Sequence, residues 1–246
     1  MSKYISRLSD ITTLETFDES AFLENKEVSQ EICSFILTLA CIYNDFKDAL
    51  LSLKSLDKVE PSGAYEETSE WGEHSGLKFH VIRILCSQIH ELLNLIGRNK
   101  KVIEDPFFDE VVRQIDKLGK ESWQSLVNIS QGKKDAHRIA KTLLMIRNKI
   151  SFHYDPKEIS KGYKKYFLDA STKKKAYISR GDAIGQERYY FADAASQKYF
   201  NSLINDIGLG RFQDDIIVVM DKIAPALSQI IKMFIQKRGY GWRRVE

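Results

Sequence analysis

The sequence predicts an all-α protein: a bundle of amphipathic helices, a basic insertion with a small β-hairpin, and further helices at the C-terminal end. Three observations carry this prediction. Apolar residues recur at steps of three and four through most of the 246 residues, which is the period of an α-helix. Residues that interrupt helices are scarce, with 4 prolines and 13 glycines. The dipeptide Asp105-Pro106 offers a capping carboxylate followed by a residue pre-set for the first helical position.

The elements follow in order. Residues 1–24 are acidic and weakly patterned, a lead-in to the first helix. From Glu27 to Leu56, Ile32, Phe35, Ile36, Leu39, Tyr43, Phe46, Leu50 and Leu53 mark a long amphipathic helix. Residues 58–76, with Pro61, Gly63 and Gly72, read as a loop. Leu77, Val81, Leu85, Ile89, Leu92 and Ile96 share one face of a second helix that Gly97 closes. After Asp105-Pro106, Asp109 and Glu110 suit the positive end of a helix dipole. Val111, Val112, Ile115 and Leu118 supply the buried side, and Gly119 breaks or bends this helix before Trp123, Leu126 and Ile129. A further helix spans about Lys133 to Tyr154, with Ala136, Ile139, Ala140, Leu143, Ile146 and Ile150 as its stripe. Pro156 disfavours α geometry at Asp155, so this helix should end near His153. Ala176–Ser179 and Glu187–Phe191 read as two short strands around a Gly181–Gly185 turn. Helical patterns return over 193–205 and 211–237, where Pro225 should kink or divide the last one. The whole is expected to form one domain over 1–246, with a helical core at 25–155, the insertion at 156–192 and C-terminal helices at 193–246.

Composition narrows the function classes. Hydrophobic residues are 43% and charged residues 29% of the chain, as in ordinary globular domains. No apolar run approaches the roughly 20 residues that span a bilayer, and Met1–Asp10 lacks a basic-then-apolar leader. No membrane association and a cytoplasmic location are therefore expected. Cys33, Cys41 and Cys86 sit in apolar helical patterns without a CxxC pair, which argues against zinc and disulfide frameworks. Cys86 and His90 share a helix face, with His80 rotated away, so a metal site lacks a third ligand. No metal and no cofactor are expected. The net charge of +3 is unevenly spread. Residues 1–31 hold 3 basic and 7 acidic side chains, residues 157–180 hold 8 and 2, and residues 232–246 hold 5 and 1. The basic stretches suit a polyanion, although such runs also occur as plain solvated surface.

The chemistry concentrates at Arg147-Asn148-Lys149-Ile150-Ser151-Phe152-His153. Arg brings a permanently charged fork for phosphate oxygens. His titrates near neutrality and can move a proton. Asn148 adds a neutral donor and acceptor. On an ideal helix Arg147 and His153 flank the Leu143–Ile146–Ile150 stripe, about 120° apart. A single helix therefore presents them poorly to one phosphate, whereas two copies packed by the stripe would bring Arg147 of one toward His153 of the other. The plainer alternative is an Arg lying over apolar neighbours and a His closing a helix C-terminus. Downstream, Lys164, Lys165, Lys173, Lys174 and Lys175 interleave with tyrosines. These aromatics either stack on unpaired bases while the lysines hold the backbone, or form the core and rim of an inserted subdomain.

The pattern R-N-x-x-x-x-H at the end of a late helix, after several amphipathic helices, resembles the HEPN superfamily. Its hallmark is Arg, four to six intervening residues, then His, with a polar residue directly after the Arg. The likeness covers about Glu27–Asp155, and the layout of long helices before Arg147 also looks like that of the abortive-infection branch. It implies a helical bundle that dimerises across the motif helices and a metal-independent endoribonuclease of toxin–antitoxin or phage-defence systems. His153 would act as general acid/base, Arg147 would stabilise charge on the scissile phosphate, and Asn148 would orient the phosphate or His153. Tyr154 and the five lysines would contact RNA. Implied partners are RNA, a second copy of the chain and a cognate antitoxin or defence protein. The alternative within the family is a non-catalytic dimerisation or nucleotide-binding module. Some members carry a modifiable Tyr two residues after the His; here that position is Asp155.

Overall fold

A computed structural model describes residues 15–62, 68–132, 136–151, 154–169, 174–180, 182, 187–205, 209–239 and 243–244. The protein is all-α. Its helices are α1 (Gln30–Lys58), α2 (Ser69–Arg98), α3 (Lys100–Ile103), α4 (Pro106–Gln114), α5 (Lys117–Ser130), α6 (Ala136–Ile146), α7 (Pro156–Phe167), α8 (Tyr190–Ile204) and α9 (Leu209–Lys237). A 3-10 turn covers Glu19–Phe22, and a π-helical turn covers Arg147–Ser151. Among the described residues the only strands are β1 (Glu15–Thr16) and β2 (Arg243–Arg244), paired antiparallel.

The chain divides into two compact units. One comprises 1–48, 91–140 and 216–246, and the other comprises 49–90 and 141–215. The boundaries fall inside α1, α2, α6 and α9, so they cut across the core, insertion and C-terminal segments expected from the sequence.

In the first unit, aromatic side chains organise the core. Phe108 lies 5.6 Å, centroid to centroid, from both Phe35 and Trp123, and Ile32, Ile36, Leu39, Ile230 and Phe234 are buried with them. Local signals set the helix starts. The Asp105 carboxylate accepts from the Phe107 amide at 2.8 Å, with Pro106 at the first position of α4. The next break falls at Ile115–Asp116 rather than at Gly119. Asp116 caps α5 by accepting from the Gly119 amide at 2.7 Å, and Gly119 lies inside that helix. α9 continues through Pro225 as one helix instead of dividing.

The second unit contains the Arg147 segment. Phe79 on α2 meets Phe200 on α8 edge-on at 5.5 Å, and Phe200 meets Phe212 on α9 at 6.0 Å. α7 and α8 pack closely at Gly162, where a Cβ would run into the Ala195 carbonyl. Two expectations are corrected here. Residues 69–76 are helix, not loop, because Gly72 and Gly76 are packing positions: the Tyr190 ring covers Gly72 and the Arg188 guanidinium covers Gly76. Among the described residues, the expected hairpin is represented by one antiparallel bridge, Ser179 to Arg188. Tyr190 and Phe191 begin α8 instead of continuing a strand, so tertiary packing overrides their β preference. The expected Gly181–Gly185 turn lies largely outside the described residues.

Candidate functional site

The Arg147 segment is built from below by α2. After Ile146 the backbone leaves α geometry for the π turn of Arg147–Ser151. Such wide turns are rare in proteins and often coincide with functional sites. Arg83 of α2 holds this turn. It is only 7% exposed, and its Nη1 donates to the Ile150 carbonyl oxygen at 2.9 Å and to Tyr154 Oη at 3.3 Å. Its guanidinium also lies 5.0 Å from the Phe79 ring centroid and 5.8 Å from that of Tyr154. Ser151 Oγ returns a bond to the Arg83 carbonyl at 3.1 Å. Helix and turn are thus tied in both directions.

Downstream, Asp155 divides its two oxygens. Oδ1 accepts from the Lys157 and Glu158 amides and caps α7, with Pro156 at its first position. Oδ2 pairs with Lys149 Nζ at 2.6 Å. The lysine hydrogen bond is the main reason the Asp155 carboxyl lies below its ordinary range, and the same bond raises the Lys149 ammonium. Both oxygens of the Asp155 carboxylate are therefore occupied by the chain's own fold.

The expected catalytic residues are placed as follows. Arg147 is half-buried and donates from Nη1 to Asn148 Oδ1 at 2.9 Å; Asn148 is exposed. His153 lies outside the described residues. The ideal-helix angle between Arg147 and His153 does not apply, because a π turn advances by a smaller angle per residue than an α turn. A second correction concerns the stripe. Leu143, Ile146 and Ile150 are each 0% exposed, consumed by the chain's own core and unavailable to a second copy. The outer face of this segment instead carries Lys141, Leu144 and Asn148, with Leu144 42% exposed.

Sequence reasoning missed Arg83 and set aside His80. Arg83 occupies a buried phase of α2, one turn after Phe79 and one turn before Cys86, where a cation is unexpected without a partner. That mismatch was the available signal. His80 is largely exposed, yet its Nδ1 lies 3.4 Å from Arg83 Nη2. Partial burial of the ring holds its pKa below the ordinary value, with Arg83 and Arg188 adding repulsion and Asp193 opposing them. Cys86 is buried, and burial pushes its thiol up to about 12. Among the described residues no group of three His, Cys, Asp or Glu side chains gathers at one point, and no helix is long and apolar enough to cross a membrane.

The expected RNA contacts separate into three groups. Tyr154 is 59% exposed and leans over Arg83. Lys164 and Lys165 are exposed on the last turn of α7. Lys174 and Lys175 line a cleft of about 190 Å³ with Tyr166, Tyr177, Tyr190 and Phe191, while Lys173 lies outside the described residues. Comparison of the chain with known protein families, curated proteins and solved structures finds no match.

Proposed function

We propose that this chain is a metal-independent endoribonuclease of HEPN type, working as a homodimer in a toxin–antitoxin or phage-defence setting. The observation that best supports the reading is the π turn at Arg147–Ser151, anchored by the buried Arg83. A buried guanidinium tied to one carbonyl of one turn is a costly way to shape a plain helix end. It is an economical way to hold Arg147 and Asn148 in a fixed, non-α presentation.

In the proposed reaction the ribose 2′-oxygen attacks the adjacent phosphorus and the 5′-oxygen leaves. The product pair is a 2′,3′-cyclic phosphate and a 5′-hydroxyl. His153 accepts the 2′-hydroxyl proton or delivers a proton to the leaving oxygen. Arg147 stabilises the charge that develops on the phosphoryl oxygens, and Asn148 orients the phosphate or His153. With the Leu143–Ile146–Ile150 stripe buried, two copies would meet on the Lys141–Leu144–Asn148 face. An antitoxin or defence partner would act by covering that face or the RNA path.

The test is RNA cleavage in EDTA. Wild type should cut and leave cyclic-phosphate ends. His153→Ala should lose about 10²–10⁴-fold and Arg147→Ala about 10²–10³-fold, with folding unchanged. Leu144→Arg should shift the sedimentation coefficient toward the monomer and lose activity with it. Cleavage that survives both motif changes rejects the assigned site. A folded dimer that binds RNA without cutting it favours the non-catalytic module.

A further inference from the structure

The cleft in the second unit is a more finished feature than its position beside a basic segment requires. Its walls come from three helix ends and one extended strip. Ser69 and Gly72 stand at the start of α2, Tyr166 and Phe167 at the end of α7, and Tyr190 and Phe191 at the start of α8, with residues 174–179 closing the fourth side. The aromatic wall is held in place. Tyr190 packs its ring on Gly72, where any Cβ would collide with it, and its hydroxyl donates to the Ser69 carbonyl at 3.0 Å. Phe167 is backed by Tyr163 and Tyr166 at 4.8 and 4.7 Å.

The strip is also fixed. The Ser179 amide donates to the Arg188 carbonyl at 3.0 Å. The Arg188 side chain is then locked by Asp193 at 2.7 Å and Glu73 at 2.8 Å. Two ammonium groups are presented along this strip. Lys174 Nζ stands 4.0 Å over the Tyr166 ring, and Lys175 is exposed beside it.

Rigid rings around a small void, with cations at its edge, favour a flat aromatic ligand that carries negative charge. Each base has a π-face for stacking whatever its identity, and a lysine ammonium is a mobile point charge suited to phosphate. The void has room for one ring system rather than a length of chain. We propose that this cleft seats one unpaired nucleobase stacked among its tyrosines, with the attached phosphate held by Lys174 and Lys175. The same chemistry serves a base flipped from RNA or a free nucleotide. Assigning RNA as its source rests on the ribonuclease reading above.

The test is fluorescence anisotropy of the full chain with a fluorescein-labelled single-stranded ten-nucleotide RNA, with AMP and UMP as competitors. Binding is measured for wild type, Tyr177→Ala, Tyr177→Phe, Lys174→Gln and Lys175→Gln. Tyr177→Ala should weaken RNA binding about 5- to 150-fold, the effect of one lost stack, while Tyr177→Phe should retain it. Each lysine change should lower the salt slope by about one. Competition by AMP or UMP near micromolar concentration assigns the cleft to a free nucleotide, and its absence assigns it to RNA.

RNA binding unchanged in folded Tyr177→Ala and in both lysine variants overturns the proposal, even if the chain cuts RNA. A wild type that binds neither RNA nor nucleotide overturns it as well. Cleft-dependent binding without cleavage supports the cleft and rejects the ribonuclease.

Discussion

Arg83 Nη1 donates to the Ile150 carbonyl oxygen at 2.9 Å across 67 positions of the chain. The bond spans α2 and the π turn, and the same nitrogen reaches Tyr154 Oη at 3.3 Å. Replacing Arg83 by Met orphans the Ile150 carbonyl but relieves the buried Nε, which has no partner. Against a loss of about 1.5–3 kcal/mol for a charged hydrogen bond, the expected net destabilisation is about 1–2 kcal/mol. Urea midpoints should fall with the slope unchanged. Arg83→Lys should not restore them, because a compact ammonium lacks the flat guanidinium that lies over the Phe79 ring while its Nη1 reaches both acceptors. Full rescue by Lys would mean that charge alone holds the turn.

Two glycines in helices should answer oppositely to Ala. At Gly162 a Cβ meets the Ala195 backbone carbonyl, which cannot move aside cheaply. Overpacking should cost about 1–3 kcal/mol and outweigh the helix preference of Ala. At Gly210 nothing lies within 4 Å, so Ala should be neutral or stabilise by up to about 1 kcal/mol. Thermal unfolding of the two variants reads the difference directly.

His80 gives the fold an acid limb. Its pKa lies below the ordinary 6.5, so between that value and the lowered one the unfolded chain binds more protons than the folded chain. Stability contributed by the neutral ring is complete above about pH 6.5 and declines as pH falls through that window. His80→Gln should flatten the slope of stability against pH just below 6.5. An unaltered slope would show that the ring is not held neutral.

The cysteines should divide by burial. Cys41 is exposed, whereas Cys33 and Cys86 are buried. Burial raises both buried thiols, and the thiolate is the reactive form. A thiol reagent at pH 8 should label Cys41 quickly in the folded protein and the other two only after denaturation. Rapid labelling of Cys86 would reveal local opening of α2.

Much of the helical layout was legible in the sequence because its signals are local. Asp105-Pro106 announced α4 through a cap that operates within three residues. The same dipeptide recurs at Asp155-Pro156 and begins α7 in the same way. Read only as the end of the preceding helix, it left α7 unseen. Gly72 and Gly76 misled for a different reason. Glycine permits a turn and also permits close packing, and only the partners, Tyr190 and Arg188, decide between them. Those partners lie more than a hundred positions away. The stripe at Leu143, Ile146 and Ile150 was rightly read as apolar. Periodicity reports that a face is buried and is silent on whether the same chain or another copy buries it. Arg83 was readable in principle as a cation out of phase with its surroundings, but its acceptor, a backbone carbonyl, leaves no mark on composition.

The π turn also changes how distance along this segment should be measured. A π turn arises when one extra residue is accommodated inside a helix. The faces presented beyond it stay where they were, because the wider loop of backbone absorbs the addition. Two chains that differ by one residue between Arg147 and Asp155 can therefore present the same downstream surfaces, one through an α turn and the other through a π turn. Counting residues from Arg147 records the width of the turn as much as the separation of the groups. A search for similar sites gains by matching the Arg83-type anchor and the Asp155-type cap, and by leaving the length between them free.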